Sequence, residues 1–275
     1  MYLRFSIAIG FALLGTVGCA AHHVGPSLAE QLASRGVRLD ELSALPTDSE
    51  RARVRNEWSR RDTAAYDTRV EAHYELPLSQ VMLIISHQTP AGRHFGAVLA
   101  PATALEPGRS TPVLLNLHGL GRDLTLELPD PGGAGTPPTA IVTTWPSFSG
   151  ESLSFRDSRW TSDGDPWDFC DGASDDALRF LNAVLEILPG ADSGRVVAFG
   201  GSRGGTVAML IALRDARIRR VMAMSSPTDF LDLSLLSHEN ASVLYGRWLL
   251  LPELDGSGSV SDARDRLLRC SPRQF

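Results

Sequence analysis

Apolar residues change their period along this chain, and the changes mark out its elements. Near the start, Ser27 and Thr47 each stand three residues before a glutamate, Glu30 and Glu50. In that spacing the two side chains satisfy the free N–H groups of a helix start, so two helices are predicted. The first should stop at Gly36, because a residue without Cβ takes the left-handed conformation after a helix. The second carries Arg51, Arg53, Arg55, Arg60 and Arg61 among Glu50, Glu57 and Asp62, the pattern of a solvated face. From Thr68 the period falls to two. Val70, Ala72 and Tyr74 alternate with polar residues, and the runs at 81–85 and 95–99 form a hairpin around Thr89, Pro90, Ala91 and Gly92. Later apolar runs, at 112–117, 140–144, 195–199 and 221–224, are short and unbroken, as strands covered on both sides are. Between them Ala177, Leu178, Leu181, Val184, Leu185 and Leu188 share one helical face, closed by Pro189 and Gly190. Short strands alternating with helices predict an α/β domain with a mostly parallel central sheet and helices on both faces.

One turn in that pattern carries chemistry. After the run 195–199, Gly200, Gly201, Ser202, Arg203 and Gly204 fit G-x-S-x-G and lead into an apolar helical stretch. The serine of such a strand-turn-helix stands clear of the sheet, and the first N–H groups of the helix point toward its hydroxyl. Ser202 is therefore a candidate nucleophile, with the Arg203 N–H as one oxyanion donor. The loop His118, Gly119, Leu120, Gly121, Arg122 follows a buried strand and offers a second donor, the Leu120 N–H. The bland reading is a glycine turn whose serine caps the helix. G-x-G-x-x-G and G-K-[ST] are absent, so no nucleotide loop is indicated. His118 itself reads as a structural hydrogen-bonding residue. The stretch from Trp145 to Gly172 is rich in rings, with Phe148, Phe155, Trp160, Trp167 and Phe169 among small polar residues. It reads either as a substrate wall above the sheet or as a cover for the core.

Composition narrows the class. With 275 residues, 43% of them hydrophobic, the chain can bury one large domain, and a net charge of −6 argues against a nucleic-acid partner. Residues 1–18 combine a basic start, an apolar centre and small residues, which is an export signal. Thr16, Val17, Gly18 and Cys19 resemble a bacterial lipobox, with Cys19 as the lipidated residue; Thr16 departs from the usual leucine, so simple cleavage stays open. Lipid at Cys19 would be the sole membrane attachment. The chain is thus expected outside the cytoplasm, as a periplasmic or outer-membrane-attached lipoprotein or a secreted protein. His22 and His23 then belong to a tether. Export places Cys170 and Cys270 in an oxidising compartment, where they either pair or remain buried thiols. No C-x-x-C spacing is present, so no metal site is indicated.

Several motifs occur together in a fixed order: Asn116 to Gly119, Pro146 to Glu151, Asp175 and Asp176 opening a helix, Gly200 to Gly205, and Ser226 to Asp229. Over residues 68–275 the chain resembles the catalytic domain of prolyl-oligopeptidase-like serine peptidases of the α/β-hydrolase superfamily. The resemblance implies a serine hydrolase working through an acyl-enzyme at Ser202, on a peptide or small ester, with no cofactor. Residues 20–67 contain no β-propeller and form a tether with a small helical segment. The acid and base are where the chain departs from the family, which places them after Ser202 in that order. His238 is the only histidine there, and Asp229 precedes it in the right order. No further strand after 221–224 is evident to carry that histidine to Ser202. Relatives begin another strand soon after a Ser-Pro like Ser271-Pro272, whereas this sequence stops at Phe275. The expectation is a domain lacking its last two strands, with impaired activity. Two other readings stand beside the peptidase: an exported carboxylesterase, and a non-catalytic binding protein that kept the fold.

Overall fold

The computed structural model describes residues 28–121, 123–127, 140–166, 168–232 and 259–275. Three helices come first, α1 (Leu28–Ser34), α2 (Leu39–Ser43) and α3 (Asp48–Trp58). Strands β1 (Tyr66–Leu76), β2 (Gln80–Thr89) and β3 (Gly92–Pro101) follow, then β4 (Thr111–Leu117), β5 (Asp123–Leu126), β6 (Val142–Pro146), β7 (Ser152–Phe155) and β8 (Ser158–Thr161). The remainder is α4 (Asp171–Ile187), β9 (Ala191–Gly201), α5 (Arg203–Arg214), β10 (Ile218–Met224) and α6 (Val260–Arg269).

The main sheet has seven strands in the order β1-β2-β3-β6-β4-β9-β10. β6, β4, β9 and β10 run parallel, whereas β1, β2, β3 and β6 pair antiparallel in turn. The sheet is therefore mixed, with the later strands parallel and the early hairpin strands antiparallel. The cause is local. Thr89 pairs with Gly92 across a two-residue turn, and so short a connection permits only an antiparallel neighbour.

Side chains alternate between the two sides of the sheet. Val81, Leu83 and Ile85 of β2 face the core beneath α4 and α5, with Val113, Leu115 and Leu117 of β4 and Val196 and Ala198 of β9. Met82 and Ile84, with Ala97 and Leu99 of β3, point the other way onto Leu153 and Phe155. That second side is covered by a separate sheet of order β5-β7-β8. Among the described residues both long helices thus lie on one side of the sheet, and a small sheet covers the β2–β3 surface on the other.

This small sheet also settles the aromatic stretch. Phe148, Phe155 and Phe169 are buried, and Trp145 and Trp160 pack partly buried against the β2–β3 surface. The rings cover the core; Trp167 lies outside the described residues.

The N-terminal helices are held to the rest by a second apolar cluster, in which Leu32, Leu42, Val54 and Trp58 meet Phe169, Leu210, Phe230, Leu267 and Leu268. Thr47 and Glu50 form the expected reciprocal cap of α3, and Gly36 sits at φ 72° as a helix terminator. α6 has the same kind of cap, with Ser259 and Asp262 in the reciprocal roles. Charges tie the cluster together: Arg264 of α6 donates to Glu50 at 2.9 Å and to the carbonyls of Leu42 and Ala44.

Candidate active site

β9 delivers the chain into a strained residue. Ser202 has φ 53° and ψ −127°, a region that costs on the order of 1–3 kcal/mol outside glycine and persists only where the surroundings enforce it. Two close approaches do so here. A Cβ on Gly200 would lie 2.3 Å from the Gly204 carbonyl carbon, and a Cβ on Gly204 would lie 2.0 Å from the Leu117 oxygen. The end of β9, the start of α5 and the end of β4 are packed backbone on backbone. From the third side, the Ser202 N–H donates to the Met224 oxygen at 2.9 Å.

Ser202 is exposed between residues that are not. Its side chain makes no capping bond to α5, which removes the helix-cap reading: the hydroxyl is presented outward and the turn is closed by backbone alone. Arg203, the first residue of α5, has no intrahelical acceptor for its N–H. The loop after β4 abuts the same serine, because the Cβ position of Gly119 lies 3.6 Å from Ser202 Cβ and 3.5 Å from the Gly201 oxygen. The helix start bearing Arg203 and the loop bearing Leu120 therefore meet at Ser202. Leu120 itself is 39% exposed.

Behind the serine lies a charged cluster that the sequence did not reveal. The Arg203 side chain is only 3% exposed and its Nη1 contacts Glu151 Oε1 at 2.8 Å. Its guanidinium lies over the Phe148 ring, 4.8 Å from the centroid. Glu151 Oε2 in turn stands 3.1 Å from His118 Nε2, a close approach without hydrogen-bond alignment. Burial is the largest influence on the Glu151 carboxyl and raises it, but the adjacent His118 and the charge and hydrogen bond of Arg203 together outweigh it. Glu151 is consequently held below the ordinary carboxylate range and stays ionised. Each partner is joined to the serine turn: Arg203 is its neighbour in sequence, and His118 opens the loop that carries Leu120. His118 Nδ1 lies 3.0 Å from the Gly119 oxygen, so its ring is engaged within its own loop, in the structural role expected of it.

Of the proposed acid and base, Asp229 is described and His238 lies outside the described residues. Asp229 accepts from the Leu231 N–H at 3.1 Å and from Gln274 Nε2 at 2.6 Å. It thus sits in the segment after β10, which docks on α5 where Thr206 Oγ1 donates to the Pro227 oxygen. Cys19 also lies outside the described residues. Cys170 and Cys270 are free, buried thiols.

No protein-family model and no curated protein matches the sequence. Comparison of the structure does find relatives. An acetyl xylan esterase from Paenibacillus sp. R4 superposes with a TM-score of 0.52 at 17% identity, over 86% of this chain and 79% of that one. Acetyl xylan esterase 1 from Thermoanaerobacterium sp. JW/SL YS485 gives 0.50 at 16% identity, over 84% and 78%. Prolyl oligopeptidase B from Galerina marginata gives 0.45 at 12% identity, over 61% of this chain and 23% of that one. The chain has the α/β-hydrolase fold.

Proposed function

We propose that this protein is a serine hydrolase of carboxylic esters, with Ser202 as the nucleophile of an acyl-enzyme mechanism. The observation that carries the proposal is the exposed, strained Ser202 with a hydroxyl that caps nothing. In the mechanism, Ser202 Oγ attacks the ester carbonyl. The Arg203 and Leu120 N–H groups receive the developing oxyanion, the alcohol leaves, and water then releases the acid from the acyl-serine. The single histidine after the serine, His238, is the candidate proton acceptor and Asp229 its candidate orienting acid.

An ester is preferred to a peptide bond on chemical grounds. An alcohol leaves with far less help from a general acid than an amine does, and the cluster behind Ser202 engages His118 rather than freeing it for proton transfer. Two superpositions with esterases, at TM-scores of 0.52 and 0.50, support the same choice. Export through residues 1–18, with or without lipid on Cys19, belongs to the same proposal. Membrane association that survives Cys19→Ser would remove the lipid from it.

One covalent probe and two substrates on one preparation test the reading. A fluorophosphonate probe should label wild type and not Ser202→Ala. p-Nitrophenyl acetate should give a burst of p-nitrophenol that the same substitution removes, and a peptidyl p-nitroanilide should turn over more slowly than the ester. Faster amide cleavage would return the peptidase reading. Labelling that persists in Ser202→Ala, or no labelling of the wild type, would leave a binding protein on a hydrolase fold.

A further inference from the structure

Cys170 and Cys270 are about a hundred residues apart in sequence and adjacent in space. Both are buried, at 0% and 1% exposure, and their neighbours in sequence meet, Arg269 Nη1 standing 3.5 Å from Asp171 Oδ2. Each sits at a fixed helix end, Cys170 at the N-terminus of α4 and Cys270 at the C-terminus of α6. The backbone holds both in place: the Ser174 N–H donates to the Cys170 oxygen at 2.9 Å and the Cys270 N–H to the Arg266 oxygen at 3.2 Å.

We propose that Cys170 and Cys270 are an oxidation site, closing a disulfide that fastens the C-terminal segment of the chain to the start of α4. Two buried thiols on helix ends that already meet through Arg269 and Asp171 need little backbone movement to bond. The oxidant is a disulfide of the exporting compartment, small or protein-borne. A cavity of about 290 Å³ beside the pair is lined by Cys270 together with Asp168, Phe169, Asp171 and Arg266, but not by Cys170. Cys270 is therefore the entry thiol. Its thiolate attacks one sulfur of the incoming disulfide and expels the other as a thiolate. The Cys170 thiolate then attacks Cys270 Sγ in the mixed disulfide and expels the second half of the oxidant. Both protein thiols lose their protons, two electrons pass to the incoming disulfide, and one protein S–S bond forms. Burial, the largest influence, pushes the Cys170 thiol well above its usual range, so the second displacement is the slow one.

The bond would act on the ground beside the candidate site. Ser271, next to Cys270, accepts from the Phe230 N–H at 2.8 Å, and the Arg273 N–H donates to the Thr228 oxygen at 2.9 Å. These residues flank Asp229. On the other side, Phe169 precedes Cys170 and its ring lies 6.0 Å from the Arg203 guanidinium. The inference does not depend on serine chemistry; it depends on export only for its oxidant.

The test uses the full-length chain, purified without reductant from an exporting host, and the same protein reduced and then treated with oxidised glutathione. Each sample is denatured, alkylated, digested and mapped. The expected result is a Cys170–Cys270 linked peptide in both, with Cys19 outside it, and alkylation of both residues only after reduction. Oxidised protein should melt roughly 5–15 °C above reduced protein, as a loop of this length predicts. Cys270→Ser should melt like the reduced form whether or not reductant is present. Alkylation of both thiols in the glutathione-treated sample, a stable glutathione adduct at Cys270, a link to Cys19, or equal melting of the oxidised and reduced forms would each overturn the proposal.

Discussion

Substituting Glu151 by glutamine keeps the shape of the side chain and removes its charge, which isolates what the carboxylate does behind Ser202. In the wild type it is the anion facing two groups at once, Arg203 at 2.8 Å and His118 at 3.1 Å, with side-chain exposures of 3% and 16%. The other contacts of Arg203, the Phe148 and Phe169 rings and His118 Nδ1 at 3.4 Å, supply no anion. Glu151→Gln therefore strands a buried guanidinium, and removing one partner of such a pair costs about 3–5 kcal/mol. That is a large share of a total stability of about 5–15 kcal/mol, and corresponds to a melting point lower by roughly 6–20 °C. The same change loosens both oxyanion donors, so fluorophosphonate labelling should slow at least tenfold at a temperature where the variant is folded, toward the ~100-fold loss of a missing donor. A compensating variant tells charge from packing. Arg203→Met retains the contact with Phe148, and in Glu151→Gln/Arg203→Met no charge is left unpaired, so the double variant should be more stable than Glu151→Gln alone. The assays are urea unfolding and probe labelling of all three proteins. A Glu151→Gln variant within about 0.5 kcal/mol of wild type, or a double variant less stable than the single, would show that the cluster is not held by its charge.

Ser202→Gly relieves the strain of φ 53°, so the variant should melt at or above the wild type while losing all probe labelling; a clear fall in melting temperature would mean the turn is not strained. Burial, then the neighbouring charge of His94 and more weakly those of Arg179 and Arg93, push His87 down from 6.5 to about 3. Its neutral ring is a buried group without a hydrogen-bond partner. Because the unfolded chain takes up this proton first, stability should fall as pH drops below about 6.5, by ~1.4 kcal/mol per unit, and level off near the folded value. His87→Leu should flatten that slope between pH 6 and 4 in chemical denaturation, and an unchanged slope would remove His87 as its cause. β10 is the outermost strand of the main sheet among the described residues, with Met222 at 57% and Val221 at 37% exposure beside Leu213 at 47%. An uncovered edge of this kind favours association between chains. Met222→Lys should shift concentrated protein toward the monomer in sedimentation velocity, and identical profiles would clear the edge of that role.

How far the sequence could be read depended on the range over which each feature is determined. The serine turn was legible because its signal is steric and local: glycine at 200 and 204 is required by atoms 2.0–2.4 Å from where a Cβ would stand. The hairpin of β2 and β3 and the caps at Thr47 and Gly36 were legible for the same reason. α6 was passed over although Ser259 and Asp262 form a reciprocal cap, because aspartate stands where the familiar spacing has glutamate. The strands β7 and β8 were hidden within an aromatic stretch that reads as loop, since four-residue strands carry too little period to register. Unbroken apolar runs report burial on both sides without saying what covers them, and β2 achieves that with α4 on one side and a second sheet on the other.

The charged cluster was illegible for a different reason, and that reason bears on what the site is. Glu151, Arg203 and His118 come from three separate segments, and nothing in any one of them announces a partner. In G-x-S-x-G the residue after the serine is left open because the motif needs only its backbone N–H. Here its side chain folds back under the turn, so the residue whose N–H is the proposed first donor anchors itself through Glu151 to the loop proposed to supply the second. Electrostatic stabilisation of an oxyanion depends on donors that are fixed before charge develops. A buried ion pair bridging both segments fixes them relative to each other through side chains, adding to the backbone packing in which Gly204 meets the Leu117 oxygen at the end of β4.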